Sequence, residues 1–183
     1  MLKKFVFLDR DGVINRDSSA YIKSWEEFNF LPGSLDGIRQ LTEDGFTIIV
    51  ITNQSAINRG MIPRQRLSDM HTNMKEAIHS AGGLITDIFF CPHTPQENCN
   101  CRKPKPDLIL KAQKAYDINL SNAVMVGDSA KDIQCARNAG CGKTVLVQTG
   151  NFTEAQKTLA QQNISPDHIA EDLLAAAAWI ISS

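Results

Sequence analysis

The sequence predicts an α/β chain, a doubly wound, Rossmann-like parallel sheet with helices on both faces, and three observations carry that prediction. Short apolar runs rich in β-branched and aromatic residues alternate with segments whose apolar residues recur at helical spacing. Each run is bounded by glycine or polar residues and is too short to be a helix. Three of the runs end in polar or acidic tips and another leads into cysteines, as expected where the carboxyl ends of parallel strands share one edge.

Phe5-Val6-Phe7-Leu8 is the first strand, buried on both faces, and it leads directly into Asp9-Arg10-Asp11-Gly12. Val13 to Leu31 is a polar and aromatic loop holding Asn15, Arg16, Asp17, Tyr21 and Trp25; loops of this length are usually functional. Leu35, Ile38 and Leu41 recur at helical spacing until Gly45 stops them. Phe46 to Ile51 is the second strand, ending in Thr52-Asn53-Gln54-Ser55, and it closes a βαβ unit whose crossover should be right-handed. A loop from Ile57 to Pro63 carries Arg59-Gly60. The helix after it, Leu67 to Ala81, has Met70, Met74, Ala77 and Ile78 on one face, with His71 and His79 expected on the polar side. Ile85 to Phe90 is a third strand running into Cys91-Pro92-His93, and Arg102-Lys103-Pro104 precede a helix over Asp107 to Tyr116. Ala123 to Val126 is a fourth strand that ends in Gly127-Asp128-Ser129, followed by a helix from about Ala130 to Ala139. Lys143 to Val147 is a fifth strand, and Glu154 to Gln162 and Glu171 to Ile181 are closing helices.

At 183 residues the chain fits one domain, residues 1–183, with a sizeable core. The segments after the first and second strands fall short of the roughly 50 residues an independent cap domain needs, so the site is expected to be capless. A hydrophobic content of 43% with 21% charged residues is that of a globular protein, and a net charge of −1 offers no field for nucleic acid or an anionic membrane. An anionic ligand must then be held by local groups. No signal-peptide pattern precedes the first strand, and the apolar run from Leu173 to Ile181 is too short to span a bilayer. A cytoplasmic monomer is expected. Of five cysteines, three crowd into Cys91 to Cys101, which in a reducing compartment points to metal.

Bringing Asp9, Asp11 and Asp128 to one sheet edge, with Asp132 a helical turn further on, crowds negative charge that a hard divalent cation would relieve. Mg²⁺ typically takes one or two carboxylates, with water, a carbonyl or a substrate phosphate completing its shell. Arg102 and Lys103 add positive charge that a phosphate can use. This is the short parts list of phosphoryl transfer, which relies mostly on positioning and charge stabilisation. Asp9 is placed to attack phosphorus, Asp11 to protonate the leaving oxygen and then activate water, and Thr52 and Asn53 to donate to phosphate oxygens. Cys91, His93, Cys99 and Cys101 offer one nitrogen and three sulfurs, a set that suits a closed, structural zinc site pinning the 91–101 loop. Cys135 and Cys141 read as packing residues.

Asp9-Arg10-Asp11-Gly12, Thr52-Asn53-Gln54, Lys103 and Gly127-Asp128 with Asp132 resemble, in order and spacing, the four motifs of the haloacid dehalogenase superfamily, from Phe5 to about Gly150. The resemblance implies Asp9 as nucleophile, Asp11 as general acid and base with its main-chain carbonyl on Mg²⁺, Thr52 and Lys103 on phosphate, and Asp128 as a Mg²⁺ ligand. Asp132 would stand just behind the ligands. The zinc loop followed by Cys101-Arg102-Lys103-Pro104 is similar to the branch holding heptose-bisphosphate and histidinol-phosphate phosphatases. Thr52-Asn53-Gln54-Ser55 followed by Arg59-Gly60 looks more like the heptose side. That implies removal of the 7-phosphate of D-glycero-D-manno-heptose 1,7-bisphosphate, in lipopolysaccharide heptose synthesis. The short gap from His93 to Cys99 is nearer the histidinol side, and Ser129 stands where a heptose enzyme often has lysine, so histidinol phosphate is the alternative substrate. A catalytically silent, zinc-stabilised interaction module is the alternative of another class; it leaves the crowded aspartates without a reason. Asp17, Tyr21, Asn53, Gln54, Ser55, Arg59, Arg102 and Ser129 are the expected substrate contacts, with Arg59 offering a second cation for a distal phosphate.

Overall fold

Alternating strand and helix segments build the chain in the order β1 (Lys4–Leu8), α1 (Ser34–Glu43), β2 (Phe46–Asn53), α2 (Arg64–Ser80), β3 (Asp87–Cys91), α3 (Asp107–Tyr116), β4 (Ala123–Gly127), α4 (Ala130–Ala139), β5 (Lys143–Val147), α5 (Phe152–Gln161), β6 (His168–Ala170) and α6 (Leu173–Ser182). These elements come from a computed structural model that describes residues 4–183. The six strands form one parallel sheet in the order β3-β2-β1-β4-β5-β6. Sequence order reverses between β1 and β4, which makes their carboxyl ends the switch point where open α/β sheets hold ligands.

Side chains of a strand alternate between faces, and the sheet splits its core accordingly. Val6, Leu8, Ile48, Val50, Val124 and Val126 point to one face and pack with Ile38, Leu41, Met70, Met74, Leu173 and Ile180 from α1, α2 and α6. Phe5, Phe7, Ile49, Ile51 and Met125 point to the other, against Leu108, Ile109 and Ala112 of α3 and Cys135 and Ala136 of α4. Cys141 is buried there as well, so both lone cysteines pack as the sequence indicates. Burial on both faces is why these strands read as unbroken apolar runs.

The loop between β1 and α1 is anchored rather than free. Trp25 stacks on Phe28 at 4.9 Å between ring centroids, Phe28 meets Phe30 edge-on at 5.1 Å, and Phe28 is buried in the core. Among the described residues neither this segment nor the one between β2 and α2 holds a separate folded insert, in keeping with a capless site. Among the described residues no helix is long and apolar enough to cross a membrane. The strand β6 is an addition to the sequence reading: it is three residues long, and only Ala170 of the three is buried.

Candidate active site

The switch point opens into a cavity of about 660 Å³, and every residue expected from the sequence to meet substrate lines it, from Asp9, Asp11 and Thr52 to Arg59, Lys103 and Ser129. At its floor lies a buried ion cluster. Lys103 Nζ is 2.9 Å from Asp9 Oδ1 and 2.6 Å from Asp132 Oδ1, and it also donates to the Ile51 carbonyl at 2.8 Å. Burial alone would drive this lysine toward its neutral form; the two carboxylates outweigh it and hold the pKa above the ordinary value. Lys103 is positioned through its main chain, which exchanges hydrogen bonds with the Asn53 side chain: Lys103 N donates to Oδ1 at 3.1 Å and Asn53 Nδ2 donates to the Lys103 carbonyl at 3.4 Å. The Asn53 amide is therefore engaged in holding the lysine. Asp132 is fully buried and caps its own helix through Ser129 N and Oγ, at 3.0 and 2.7 Å, so both Asp132 and the Ser129 hydroxyl serve to fix the β4 tip.

Asp9 and Asp128 occupy the tips of adjacent strands. Two donors reach Asp9, the Arg10 amide at 2.7 Å and Lys103, and both converge on Oδ1. Burial raises the Asp9 carboxyl well above its usual range; Lys103 opposes this and the charges of Asp132 and Asp128 add to it. Burial and then the Asp132 charge push Asp128 up to about 7. Between these tips the backbone has no room for a side chain: Gly12 has φ 81°, and a Cβ there would overlap the Asp128 carboxylate.

Asp11 sits in the opposite situation, surrounded by donors. Arg10, fully buried, donates from Nη2 to Asp11 Oδ1 and Oδ2 at 2.8 and 3.0 Å; Asn15 Nδ2 donates to Oδ1 at 2.9 Å and Gln54 Nε2 to Oδ2 at 2.7 Å. Burial raises the carboxyl, but the Arg10 charge and these hydrogen bonds more than offset it, and the net shift is downward. Gln54 also donates to Thr52 Oγ1 at 2.9 Å, which ties the two motifs together.

Behind Arg10 lies His71, which the sequence places on a polar face. It is buried instead, with Nε2 3.3 Å from Arg10 Nη1 and the ring edge-on to Phe90. Arginine can only donate, so Nε2 is the acceptor and the proton sits on Nδ1. Burial, then the Arg10 charge, lowers the His71 pKa to about 3. The unfolded chain takes up a proton below about pH 6.5 and the folded chain does not, so His71 contributes stability that is lost as pH falls from there toward 3. His71→Gln, which keeps an acceptor for Arg10, is expected to be spared about 2 kcal/mol of the loss between pH 7 and pH 5. Urea midpoints at the two pH values check this.

The rim carries the remaining expected contacts. Tyr21 has φ 63°, an unusual conformation for a residue with a side chain, and Arg59 lies over its ring at 5.6 Å. Arg102 Nη1 donates to the His93 carbonyl at 3.0 Å, and Ser55 is buried in the turn after β2. The sequence gives no sign of Asn151. Its main-chain N and its Nδ2 both donate to Asp128 Oδ2, at 2.9 and 3.0 Å, and Nδ2 also lies 3.2 Å from Asp17 Oδ2.

Cys91, His93, Cys99 and Cys101 come together as expected, their ligand atoms within 4.8 Å of one another. Five of the six separations run from 3.0 Å (Cys101–Cys91) to 3.6 Å (Cys101–Cys99), with His93 Nδ1 3.2 Å from Cys101 Sγ. Bonds of about 2.3 Å to sulfur and about 2.0 Å to nitrogen in a tetrahedron put neighbouring ligands roughly 3.5–3.8 Å apart, so the cluster is compatible with zinc. All five cysteines are free thiols.

A family model described as HAD-hydrolase-like matches residues 100–176. Over 179 residues the chain is 42% identical to D-glycero-beta-D-manno-heptose-1,7-bisphosphate 7-phosphatase of Bordetella bronchiseptica, covering 97% of this chain and 98% of that protein. The chain belongs to this family of HAD phosphatases. A Pseudomonas putida member is 43% identical over 178 residues, covering 97% of this chain and 99% of its own length. The crystal structure of the B. bronchiseptica D,D-heptose 1,7-bisphosphate phosphatase, complexed with magnesium and phosphate, superposes with a TM-score of 0.90 at 98% coverage of both chains. A second family structure, from Burkholderia thailandensis, gives 0.75 at 34% identity, over 99% of this chain and all of that one.

The family's use of magnesium fits this site on its own chemistry. Asp9, Asp128 and Asp132 bring carboxylate oxygens within 4.8 Å of one another, against the single lysine that contacts them. Two negative charges are left over. Hard oxygen donors around a surplus of two charges suit Mg²⁺, and the upward shifts of Asp9 and Asp128, caused first by burial and then by the neighbouring carboxylates, mark the cost of ionisation such an ion relieves.

Proposed function

We propose that the chain is a cytoplasmic, single-domain phosphatase that removes the 7-phosphate of D-glycero-D-manno-heptose 1,7-bisphosphate through an aspartyl phosphate on Asp9. The observation that carries the reading is the placement of Asp9 between Lys103 and Asp128 at the floor of one cavity whose rim holds Arg59 and Arg102. Close relatives that act on this bisphosphate support it along nearly the whole chain.

Asp9, Asp128 and the main-chain carbonyl of Asp11 would hold Mg²⁺, which supplies charge to the phosphoryl oxygens as they pass through transfer. Lys103 and the Arg10 amide, both on Oδ1, fix the Asp9 carboxylate in place for attack on phosphorus. The bond from phosphorus to the sugar oxygen breaks, and Asp11 hands this oxygen a proton that it, ionised beside Arg10 in the free chain, first takes up from the substrate phosphate or from water. Asp11 then takes a proton from water as its oxygen attacks phosphorus, the acyl phosphate bond breaks, and inorganic phosphate leaves with Asp9 restored. The Thr52 hydroxyl, which already accepts from Gln54, keeps its own proton to donate to a phosphoryl oxygen, and Lys103 balances charge there. Cys91, His93, Cys99 and Cys101 would hold a structural zinc. The protein is expected to work as a monomer.

Specificity constants on heptose bisphosphate, in both anomers, and on histidinol phosphate test the assignment. A preference for histidinol phosphate would overturn it in favour of the other branch. Removing the distal cation, Arg59→Ala, is expected to raise KM for the bisphosphate by roughly 10–100-fold, with kcat and the hydrolysis of p-nitrophenyl phosphate nearly unchanged. An unchanged KM would place the distal phosphate elsewhere.

A further inference from the structure

Asn151 lies in the turn after β5, beyond Gln148, Thr149 and Gly150, at the cap position of α5, and it makes no side-chain bond to that helix. Its donors are directed elsewhere. The main-chain N and the side-chain Nδ2 both reach Asp128 Oδ2, at 2.9 and 3.0 Å, and no other hydrogen-bond donor among the described residues reaches that carboxylate. A carboxylate whose one oxygen accepts two hydrogen bonds cannot rotate without breaking both, so its other oxygen keeps a fixed direction. The approach is crowded to match. Gly150 has φ 108°, and a Cβ on it would overlap Asp128 Oδ2 and stand 3.1 Å from Gly12 Cα. Thr149 Oγ1 donates to the Gly12 carbonyl at 2.7 Å. The segment Thr149-Gly150-Asn151 thus clasps the β1 and β4 tips together from the side.

The same Asn151 Nδ2 lies 3.2 Å from Asp17 Oδ2, whose other oxygen accepts from Ser18 N at 2.7 Å. The Ser18 carbonyl in turn accepts from Tyr21 N at 2.9 Å, and the Tyr21 ring lies under the Arg59 guanidinium. A continuous line of contacts runs from the Asp128 carboxylate through one amide to the rim of the cavity. We infer that Asn151 is a positioning residue with two tasks: it aims Asp128 at the divalent cation, and it ties the Asp17 to Tyr21 loop in register with that carboxylate. The inference rests on the reading of Asp128 as a Mg²⁺ ligand.

The test measures Mg²⁺ binding without substrate, from the thermal midpoint of the zinc-loaded chain titrated with Mg²⁺, beside steady-state kinetics. Asn151→Ala is expected to weaken Mg²⁺ binding roughly tenfold, the low end of what loss of a residue supporting a metal ligand costs. With Mg²⁺ saturating, kcat is expected to return toward that of the unchanged chain while KM for heptose bisphosphate stays raised, because excess metal restores the ion but not the tethered loop. Asp17→Ala breaks only the second link and is expected to raise KM with Mg²⁺ affinity kept. Should Asn151→Ala fail to fold, Asn151→Ser supplies a side chain able to cap α5 and keeps the main-chain donor, and the same split applies to it. Mg²⁺ affinity within about twofold of the unchanged chain would overturn the inference, since a supporting residue is worth more than that. Because the binding arm needs no turnover, an inactive but Mg²⁺-binding chain would count against the phosphatase reading and not against Asn151.

Discussion

Replacing Asp9 with asparagine is expected to lower phosphate release by a factor on the order of 10⁵ or more, the scale seen when a nucleophile that acts within a unit is removed. The amide keeps the shape of the carboxylate and can still accept from the Arg10 amide and Lys103 Nζ, which lie 2.7 and 2.9 Å from Oδ1. What it cannot do is form the acyl phosphate. The fold should not suffer. Burial and the charges of Asp132 and Asp128 raise the Asp9 carboxyl well above its usual range, so its ionised form is costly in the folded chain when no divalent cation balances it. A carboxyl raised in this way detracts from stability as pH climbs above its unfolded value near 4, and a neutral amide removes that loss. In Mg²⁺-free buffer at pH 7 the thermal midpoint of Asp9→Asn is therefore expected to equal or exceed that of the unchanged chain. Phosphate release and a melting curve on one preparation decide both halves. A soluble variant that keeps its activity removes Asp9 as nucleophile, and a fall of several degrees would mean that the ion pair with Lys103 outweighs the burial of charge.

The clustered aspartates are legible in the sequence because their placement is local: each follows a strand whose apolar run is unmistakable, and parallel strands bring their tips to one edge whatever lies between. The loops gave up less. Val13 to Leu31 reads as a polar loop with scattered aromatics, but Trp25, Phe28 and Phe30 cluster on the core and fix the path of Asp17 and Tyr21. The apolar face read from the sequence, Met70, Met74, Ala77 and Ile78, leaves His71 on the polar side. Leu67, His71, Met74 and Ile78 follow one another at intervals of four, three and four and form the buried stripe of α2, so the helical period contains the answer. Its tolerance of burial depends on Arg10, whose own burial between His71, Asp11 and Phe28 has no sequence signal. Asn151 is hidden for the same reason. It follows a glycine at a strand end, as many turn residues do, and only the proximity of β4 to β5 brings it to Asp128. The strand β6 is too short, and too exposed at His168 and Ile169, for its period to register.

Loss of zinc is expected to damage stability and catalysis together, because the cysteine loop holds Lys103, the lysine proposed to balance charge on the phosphoryl group. Cys101 is two residues before Lys103, and the loop meets the β2 tip through Gln54 N donating to the Cys91 carbonyl at 2.7 Å and through the Asn53 contacts with the Lys103 main chain. Further ties run within the loop, from Arg102 Nη1 to the His93 carbonyl and from Lys105 Nζ to the Cys99 carbonyl at 2.7 Å. Apolar packing offers little alternative support, since Cys91 alone of the four ligands is buried. Structural zinc contributes its binding free energy to folding, on the order of 10 kcal/mol in small zinc modules. Even a part of that, at about 2–4 °C per kcal/mol for a chain of this size, predicts a fall of ten degrees or more. Cys99→Ser, at a half-buried member of the cluster, is expected to lower zinc content and the thermal midpoint and to reduce turnover even of p-nitrophenyl phosphate, which makes no use of Arg59. Cys135→Ser, on the buried face of α4 and outside the group of four, is expected to keep its zinc. Metal analysis, melting and turnover measured together separate the two roles of the loop. Retained turnover with zinc lost would show that Asn53 and the ion pairs of Lys103 suffice to hold the lysine, and a retained midpoint would leave the four side chains as packing alone.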